Sequence, residues 1–264
     1  MTDDILVRTA VDASVLTVTL DSPSNRNALS STLVGQLQDA FDTAADSAIR
    51  AVVLTHTGGT FCAGADLGEA LKRGLSPEEA TAEGGKAMVG LIRTILELDK
   101  PVIVVADGHV RAGGLGLVGA ADIALVGPAT TFALTESRLG LAASIISIPL
   151  LAKMTARSAG RYFLTGEKFG GQEAQQIGLV TAASDTGDGL AAELDSVLEG
   201  IRKASPQGLS VSKKLTTAAL LDGFDEAAAT RAAESMALFA TDEAREGMTA
   251  FLSKRRPEWD SSRA

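Results

Sequence analysis

Apolar residues in the first half of the chain fall into short unbroken runs separated by polar or glycine-rich breaks. Ile5-Leu6-Val7 and Val15–Leu20 are β-rich runs joined through Asp12-Ala13-Ser14, which predicts a hairpin. A polar turn spans 21–27. Ser30 or Ser31 then caps a predicted helix whose stripe is Leu33, Leu37, Phe41 and Ala45, at helical spacing. The run at 51–55, closed by Gly58-Gly59, reads as a buried strand. Residues 77–98 repeat the helical pattern, with Pro77 in the first turn and Leu91, Ile95 and Leu98 on one side. Pro101 ends that helix. Val102–Ala106 and Ile123–Val126 are further buried strands, separated by the glycine-rich segment Ala112-Gly113-Gly114-Leu115-Gly116, which leads into a short helix. These strands are apolar throughout rather than alternating, so both faces of their sheet are expected to be covered.

From about residue 144 the pattern turns helical and alanine-rich. The segment 184–189 (Ser-Asp-Thr-Gly-Asp-Gly) is a polar turn, and helices are expected near 190–203, 206–221, 223–239 and 242–254. The expectation is an α/β core over 1–189 and a C-terminal helical region over 190–264.

Composition narrows the function classes. With 24 Lys plus Arg against 33 Asp plus Glu the net charge is −9, which disfavours a nucleic-acid partner. The single cysteine, Cys62, rules out an intrachain disulfide or a cysteine zinc site and suits a reducing compartment. The acidic N-terminus carries no apolar signal core, and the apolar stretch 139–152 is broken by Pro149 and short of the ~20 residues that span a bilayer. A soluble, cytoplasmic protein with no membrane partner is expected.

Several residues could carry chemistry. Gly114-Leu115-Gly116-Leu117-Val118-Gly119 matches a dinucleotide fingerprint, but its first glycine lies too far past the preceding strand for that motif's tight turn. A glycine turn before a helix can instead present backbone N–H groups to a polarised carbonyl oxygen, or simply permit close packing. Phe61-Cys62-Ala63-Gly64-Ala65-Asp66-Leu67 is a second small-residue turn after a buried strand. Two such turns could form an oxyanion hole. Cys62 has no base partner and reads as packing, and His56 reads as structural. His109 and Arg111 read as a turn-exposed pair before Gly113, with the alternative that one of them lines an acyl pocket, and Glu69 is a weaker candidate for assistance. Neither a G-x-S-x-G elbow nor metal-ligand spacing is present.

Beyond these elements, the chain resembles the crotonase superfamily, the enoyl-CoA hydratase/isomerase family. The resemblance rests on Arg26-Asn27-Ala28-Leu29-Ser30, the 61–67 segment, Lys100-Pro101-Val102-Ile103 and Gly108 with Ala112-Gly113-Gly114. It continues through Ala121-Asp122-Ile123-Ala124, Phe132, Glu136, Leu139-Gly140, Leu164-Thr165-Gly166 and Gly178-Leu179-Val180 to the tail from Glu246-Gly247-Met248 to Arg256-Pro257. It implies an α/β crotonase-like ββα spiral core with a C-terminal helical region that helps bind CoA and form oligomers. By position, the oxyanion donors are the backbone N–H groups of Ala65 and Gly113, with Glu136 as acid and base. Substrate contacts fall on Arg26, Ala28, Ala63, Asp66, Leu67, Gly116, Leu141, Phe251 and Lys254. The implied partner is an acyl-CoA thioester, CoA being part of the substrate and no separate cofactor or metal being called for. A homotrimer or homohexamer is also implied.

One departure matters. The better-known hydratases carry two glutamates, and the first falls here on Gly116. Glu136 alone suits hydration of a trans-2-enoyl-CoA or Δ3,Δ2-enoyl-CoA isomerisation, and loss of the other acid leaves a non-catalytic acyl-CoA-binding protein in view. Resemblance of 114–117, 134–141 and 161–165 to a bacterial subgroup acting on branched or glutaconyl-type enoyl-CoAs favours the hydratase. The ordinary alternative for Glu136 is a surface or capping glutamate paired with Arg138.

Overall fold

The computed structural model describes residues 4–262, apart from the side chains of Leu67, Ala70, Leu71, Pro77 and Glu78. The chain opens with β1 (Val7–Asp12) and β2 (Val15–Leu20), an antiparallel hairpin. Ala13 and Ser14 both take positive φ (44° and 65°), the two-residue turn that matches strand twist. The first strand therefore starts at Val7 rather than Ile5. It is an edge strand, exposed beyond Val7, so ladder pairing rather than apolar patterning defines it.

Helix α1 (Ser31–Thr43) is capped by Ser30, whose hydroxyl accepts from Leu33 N–H. Leu33, Leu37 and Phe41 are buried as expected, but Ala44 rather than Ala45 completes the stripe. The helix has ended by then, and Ala44 N–H bonds back to Phe41 in a tighter turn. There follow β3 (Ala51–His56), β4 (Thr60–Cys62), α2 (Leu67–Arg73), α3 (Pro77–Glu97), β5 (Val102–Ala106) and β6 (His109–Arg111). Next come α4 (Gly113–Ala120), β7 (Ile123–Val126), β8 (Thr131–Ala133), a 3-10 turn (Glu136–Leu139), α5 (Ser147–Lys153) and α6 (Ala156–Thr165). The last elements are β9 (Phe169–Gly170), α7 (Gly171–Gln176), β10 (Ala182–Ala183), α8 (Gly187–Lys203), α9 (Pro206–Leu221), α10 (Phe224–Phe239) and α11 (Asp242–Leu252).

The strands make two sheets. The larger has the order β1-β2-β3-β5-β7-β10, parallel from β2 onward. Successive residues of a strand face opposite sides, so Leu16, Val18, Val52, Leu54, Val102 and Val104 enter one core with α1 and α3. Val15, Ala51, Val53, Ile103 and Leu125 enter another, closed by Leu190, Leu198 and Ile201 of α8. Both faces are covered. The smaller sheet, β4-β6-β8-β9, is built from two- and three-residue strands that the apolar runs do not reveal.

The C-terminal helices share these cores. Phe224 of α10 belongs to the first cluster, and its ring carries the Arg93 guanidinium 4.8 Å from the centroid. Lys213 of α9 is buried, with its Nζ 2.8 Å from Asp122 and donating to the carbonyls of Ile95 (2.7 Å) and Lys100 (2.9 Å). The residues on either side of 189 thus pack into the same two cores. Helix α8 starts at Gly187, because Thr186 accepts from Gly189 N–H and draws the glycines expected as a turn into the first helical turn. Helix α11 ends at Leu252, two residues before its expected end. Among the described residues, no helix is long and apolar enough to cross a membrane.

Candidate active site

Three parallel strands of the smaller sheet, β4, β6 and β8, point the same way and lie side by side. Cys62 pairs with Val110, and Arg111 with Ala133. The segments that leave their C-terminal ends therefore emerge along one edge: Ala63-Gly64-Ala65, Ala112-Gly113, and Leu134-Thr135-Glu136. Chemistry gathers at such strand ends in parallel sheets because the loops and helix N-termini converge there.

The first segment is fixed by Leu29, whose N–H donates to Gly64 O (2.7 Å) and which forms a parallel bridge with Ala65. In that pairing Leu29 bonds the neighbours of Ala65, so the N–H of Ala65 itself points to the opposite side. Gly64 has φ +94°, and a Cβ there would sit 2.7 Å from Ala112 Cβ and 3.7 Å from Gly113 N. Only glycine lets the two segments meet. Ala112 in turn adopts φ 44° and ψ −119°, a strained conformation for alanine that turns β6 directly into α4. Gly113 is the first residue of α4, so its N–H has no acceptor within the helix. Two backbone donors with no local use thus lie on adjoining segments.

Glu136 opens the 3-10 turn after β8. Its Oε2 is buried and, among the described residues, has no hydrogen-bond partner. Burial pushes its carboxyl above the usual carboxylate range, opposed only by its own backbone N–H. The alternative pairing with Arg138 is not made: Arg138 Nε donates to Thr165 O at 2.8 Å instead. A carboxyl with one buried oxygen left without a partner is a candidate for proton transfer.

The remaining predicted residues divide. Ala28 is buried, Ala63 and Leu141 are half-buried, and the N–H of Leu141 donates to Glu136 O (3.0 Å). Asp66 caps α2, accepting from Glu69 N–H (3.0 Å) and from Asn25 Nδ2 (3.2 Å), which is a structural use of its carboxylate. Leu67 begins α2, and its side chain lies outside the described residues. Arg26 is exposed in a left-handed turn, and Phe251 and Lys254 are exposed at the end of α11. Glu69 accepts from Ser31 N–H (2.8 Å) and Oγ (2.5 Å) at the start of α1, a structural use of its carboxylate. His109 and Arg111 share Thr131 across β6 and β8 (2.9 and 3.0 Å). His56 accepts from Asp107 N–H (3.0 Å) and packs edge-on to Phe61, its pKa lowered by burial. Cys62 is fully buried beneath Gly114, and its thiol is pushed up to about 12, out of reach as a nucleophile. Among the described residues, no group of three His, Cys, Asp or Glu side chains could hold a metal ion.

Gly116 is where the structure adds most. A Cβ there would lie 2.7 Å from Ile146 Cγ2 and 3.1 Å from Met88 Sδ, while Met88 Cε sits 2.7 Å from the corresponding point on Gly113. Met88 and Ile146 therefore form an apolar wall across the position of the absent acid. In the sequence Met88 continues the α3 stripe of Leu91, Ile92 and Ile95 and reads as ordinary core.

A sequence profile of the enoyl-CoA hydratase/isomerase family matches residues 10–262. The chain belongs to this family. The 2,3-dehydroadipyl-CoA hydratase of Escherichia coli is 32% identical over 253 residues, covering 93% of this chain and 94% of that protein. The mevalonyl-coenzyme A hydratase of Aspergillus fumigatus is 31% identical over 262 residues, covering 94% and 92%. A crystal structure of an enoyl-CoA hydratase from Mycobacterium avium superposes with a TM-score of 0.89 at 52% identity, covering 97% of this chain and 99% of that one. The fold is that of the crotonase superfamily, and family membership supports an enzyme acting on an acyl-CoA substrate.

Proposed function

We propose that the protein is an enoyl-CoA hydratase that adds water to a trans-2-enoyl-CoA to give the 3-hydroxyacyl-CoA. The observation that carries this reading is the buried, unpartnered Oε2 of Glu136 at the same sheet edge as the Ala65 and Gly113 N–H groups. In this mechanism the two N–H groups donate to the thioester oxygen. Glu136 accepts a proton from water as the water oxygen bonds C3. Electrons of the double bond move onto the thioester as an enolate, which the donors stabilise by about 3–4 kcal/mol each. The enolate collapses as Glu136 returns a proton to C2, and no atom or charge is left over. The hydratase names of the relatives support the same reading.

The reading extends to binding. Arg26, Phe251 and Lys254 contact CoA, and Ala28, Ala63 and Leu141 line the acyl group, in a cytoplasmic homotrimer or homohexamer. The apolar wall favours one competitor. With Ile146 and Met88 filling the place of a second acid, only one carboxylate serves the acyl chain, which is enough to move a proton between C2 and C4 of a 3-enoyl-CoA.

Purified protein assayed against a panel of 2-enoyl- and 3-enoyl-CoAs separates these readings. Loss of the conjugated-thioester absorbance with a mass gain of one water is the expected result. Gain of that absorbance from 3-enoyl substrates without mass change would make the protein an isomerase instead. Silence on both with CoA-ester binding would make it a binding protein.

A further inference from the structure

The 3-10 turn that carries Glu136 is held from two sides. Toward α6, Arg138 Nε donates to Thr165 O (2.8 Å) and Ser137 Oγ donates to Leu164 O (3.3 Å). Toward α11 the contact is between two main chains. A Cβ on Gly140 (φ +70°), just past the turn, would meet the Glu243 carbonyl carbon and oxygen at 2.7 Å. A Cβ on Gly247 would meet Leu139 in the turn, its carbonyl carbon at 2.5 Å and Cα at 2.7 Å, and would press hardest on its carbonyl oxygen. Each segment presents a glycine to the other's backbone. Glu243 and Gly247 are one helical turn apart, and Ala244, Gly247 and Ala250 form the buried face of α11. Backbone atoms cannot swing aside as a side chain can, so a methyl group here displaces the turn itself. Inside the turn, the N–H groups of Gly140 and Leu141 both donate to Glu136 O, which ties its displacement to the position of Glu136.

The geometry points to Gly247 as a positioning residue that lets α11 seat the turn and so sets where the Glu136 carboxylate lies. This rests on the reading of Glu136 as the acid and base. Reactions held in near-attack geometry lose about 100-fold for a displacement of about 1 Å, and a methyl group at Gly247 falls short of ordinary contact by roughly that distance.

The test uses the full chain with Gly247→Ala, Ala244→Gly and, as a control in open space on α8, Gly200→Ala. kcat and KM are measured on the CoA ester that the wild type turns over, together with the pH profile of kcat, thermal melting, and a 13C NMR titration of the Glu136 carboxyl. For Gly247→Ala the expected result is a kcat about 100-fold lower, KM within about threefold, and a carboxyl titration moved down toward the ordinary range as water reaches it. Gly200→Ala should match wild type. Ala244→Gly removes a fully buried methyl from the same face of α11 without adding a clash, so it keeps the test available if Gly247→Ala does not fold; a several-fold loss of kcat with the same direction of titration shift is expected. Wild-type kcat and wild-type titration in either folded variant would overturn the proposal, as would a change in melting alone. Glu136→Gln run alongside separates the two claims: full turnover there would refute the base assignment, while the carboxyl titration of the glycine variants still reports on seating.

Discussion

The two sheets differ in length, burial and use. In the larger, β1 to β3 each run six residues, β5 five and β7 four, with the two-residue β10 at the far edge, and the interior strands are packed on both faces. In the smaller, β4, β6 and β8 are three residues each, with Phe61, Val110 and Phe132 fully buried at their centres. Each fully buried Val, Leu or Phe contributes about 1.5–3 kcal/mol, so the larger sheet carries more of the stability. Yet the smaller sheet launches Ala65, Gly113 and Glu136. A rigid scaffold lets short strands hold strained or unpaired groups at their ends: the positive φ of Ala112 and the lone oxygen of Glu136.

If that division holds, stability and turnover respond to different residues. The largest effect is expected from Glu136→Gln, with kcat lower by about 100- to 10,000-fold. The same variant should melt higher at neutral pH. Burial raises the folded-state pKa of Glu136, so the carboxyl's contribution is fully present below its unfolded pKa and is lost as pH rises through the folded one. The amide removes that loss, and the gain in melting temperature should vanish in acid, below the ordinary carboxylate range. For the wild type, kcat should rise with pH through the elevated pKa of Glu136, because the base acts when ionised.

Lys213→Met probes the other sheet. It leaves Asp122 at the head of β7 without its buried ammonium and should cost about 3–5 kcal/mol in urea unfolding, with kcat per folded molecule unchanged. Gly64→Ala should change turnover as well. Its methyl would press on Ala112 and part the two donors, lowering kcat per folded molecule by about 100- to 1,000-fold, alongside the stability lost to a side chain at φ +94°. The smallest effect is expected from Gly116→Ala, whose methyl meets the stiff Ile146 side chain; overpacking of about 1–3 kcal/mol, read by denaturation, should accompany a higher KM. A Lys213 variant that lost turnover in its folded state, or a Gly64 variant that kept it, would break the division.

The same contrast explains what could be read in advance. Val102–Ala106 and Ile123–Val126 are visible because strands buried on both faces are continuous apolar runs. Thr60-Phe61-Cys62 and His109-Val110-Arg111 are too short for any period to show, so the second sheet went unseen. Glu136, Gly113 and Ala65 stand out in the sequence as candidates because they belong to an ordered set of motifs. The wall at Gly116 was not, because Met88 and Ile146 come from α3 and from a loop far along the chain, and only packing brings them to one glycine. Likewise, Asp66 and Glu69 look like free acids in the sequence, whereas each is tied to a helix start.

The central claim is that Glu136 moves the proton at the carbon beside the thioester. Its most direct test is turnover of a 2-enoyl-CoA in D2O, with deuterium at C2 of the product counted by mass spectrometry for wild type and Glu136→Gln. The account predicts one deuterium per wild-type product and none formed by the variant beyond the uncatalysed rate. Deuterium entering C2 at the wild-type rate in the variant would contradict it.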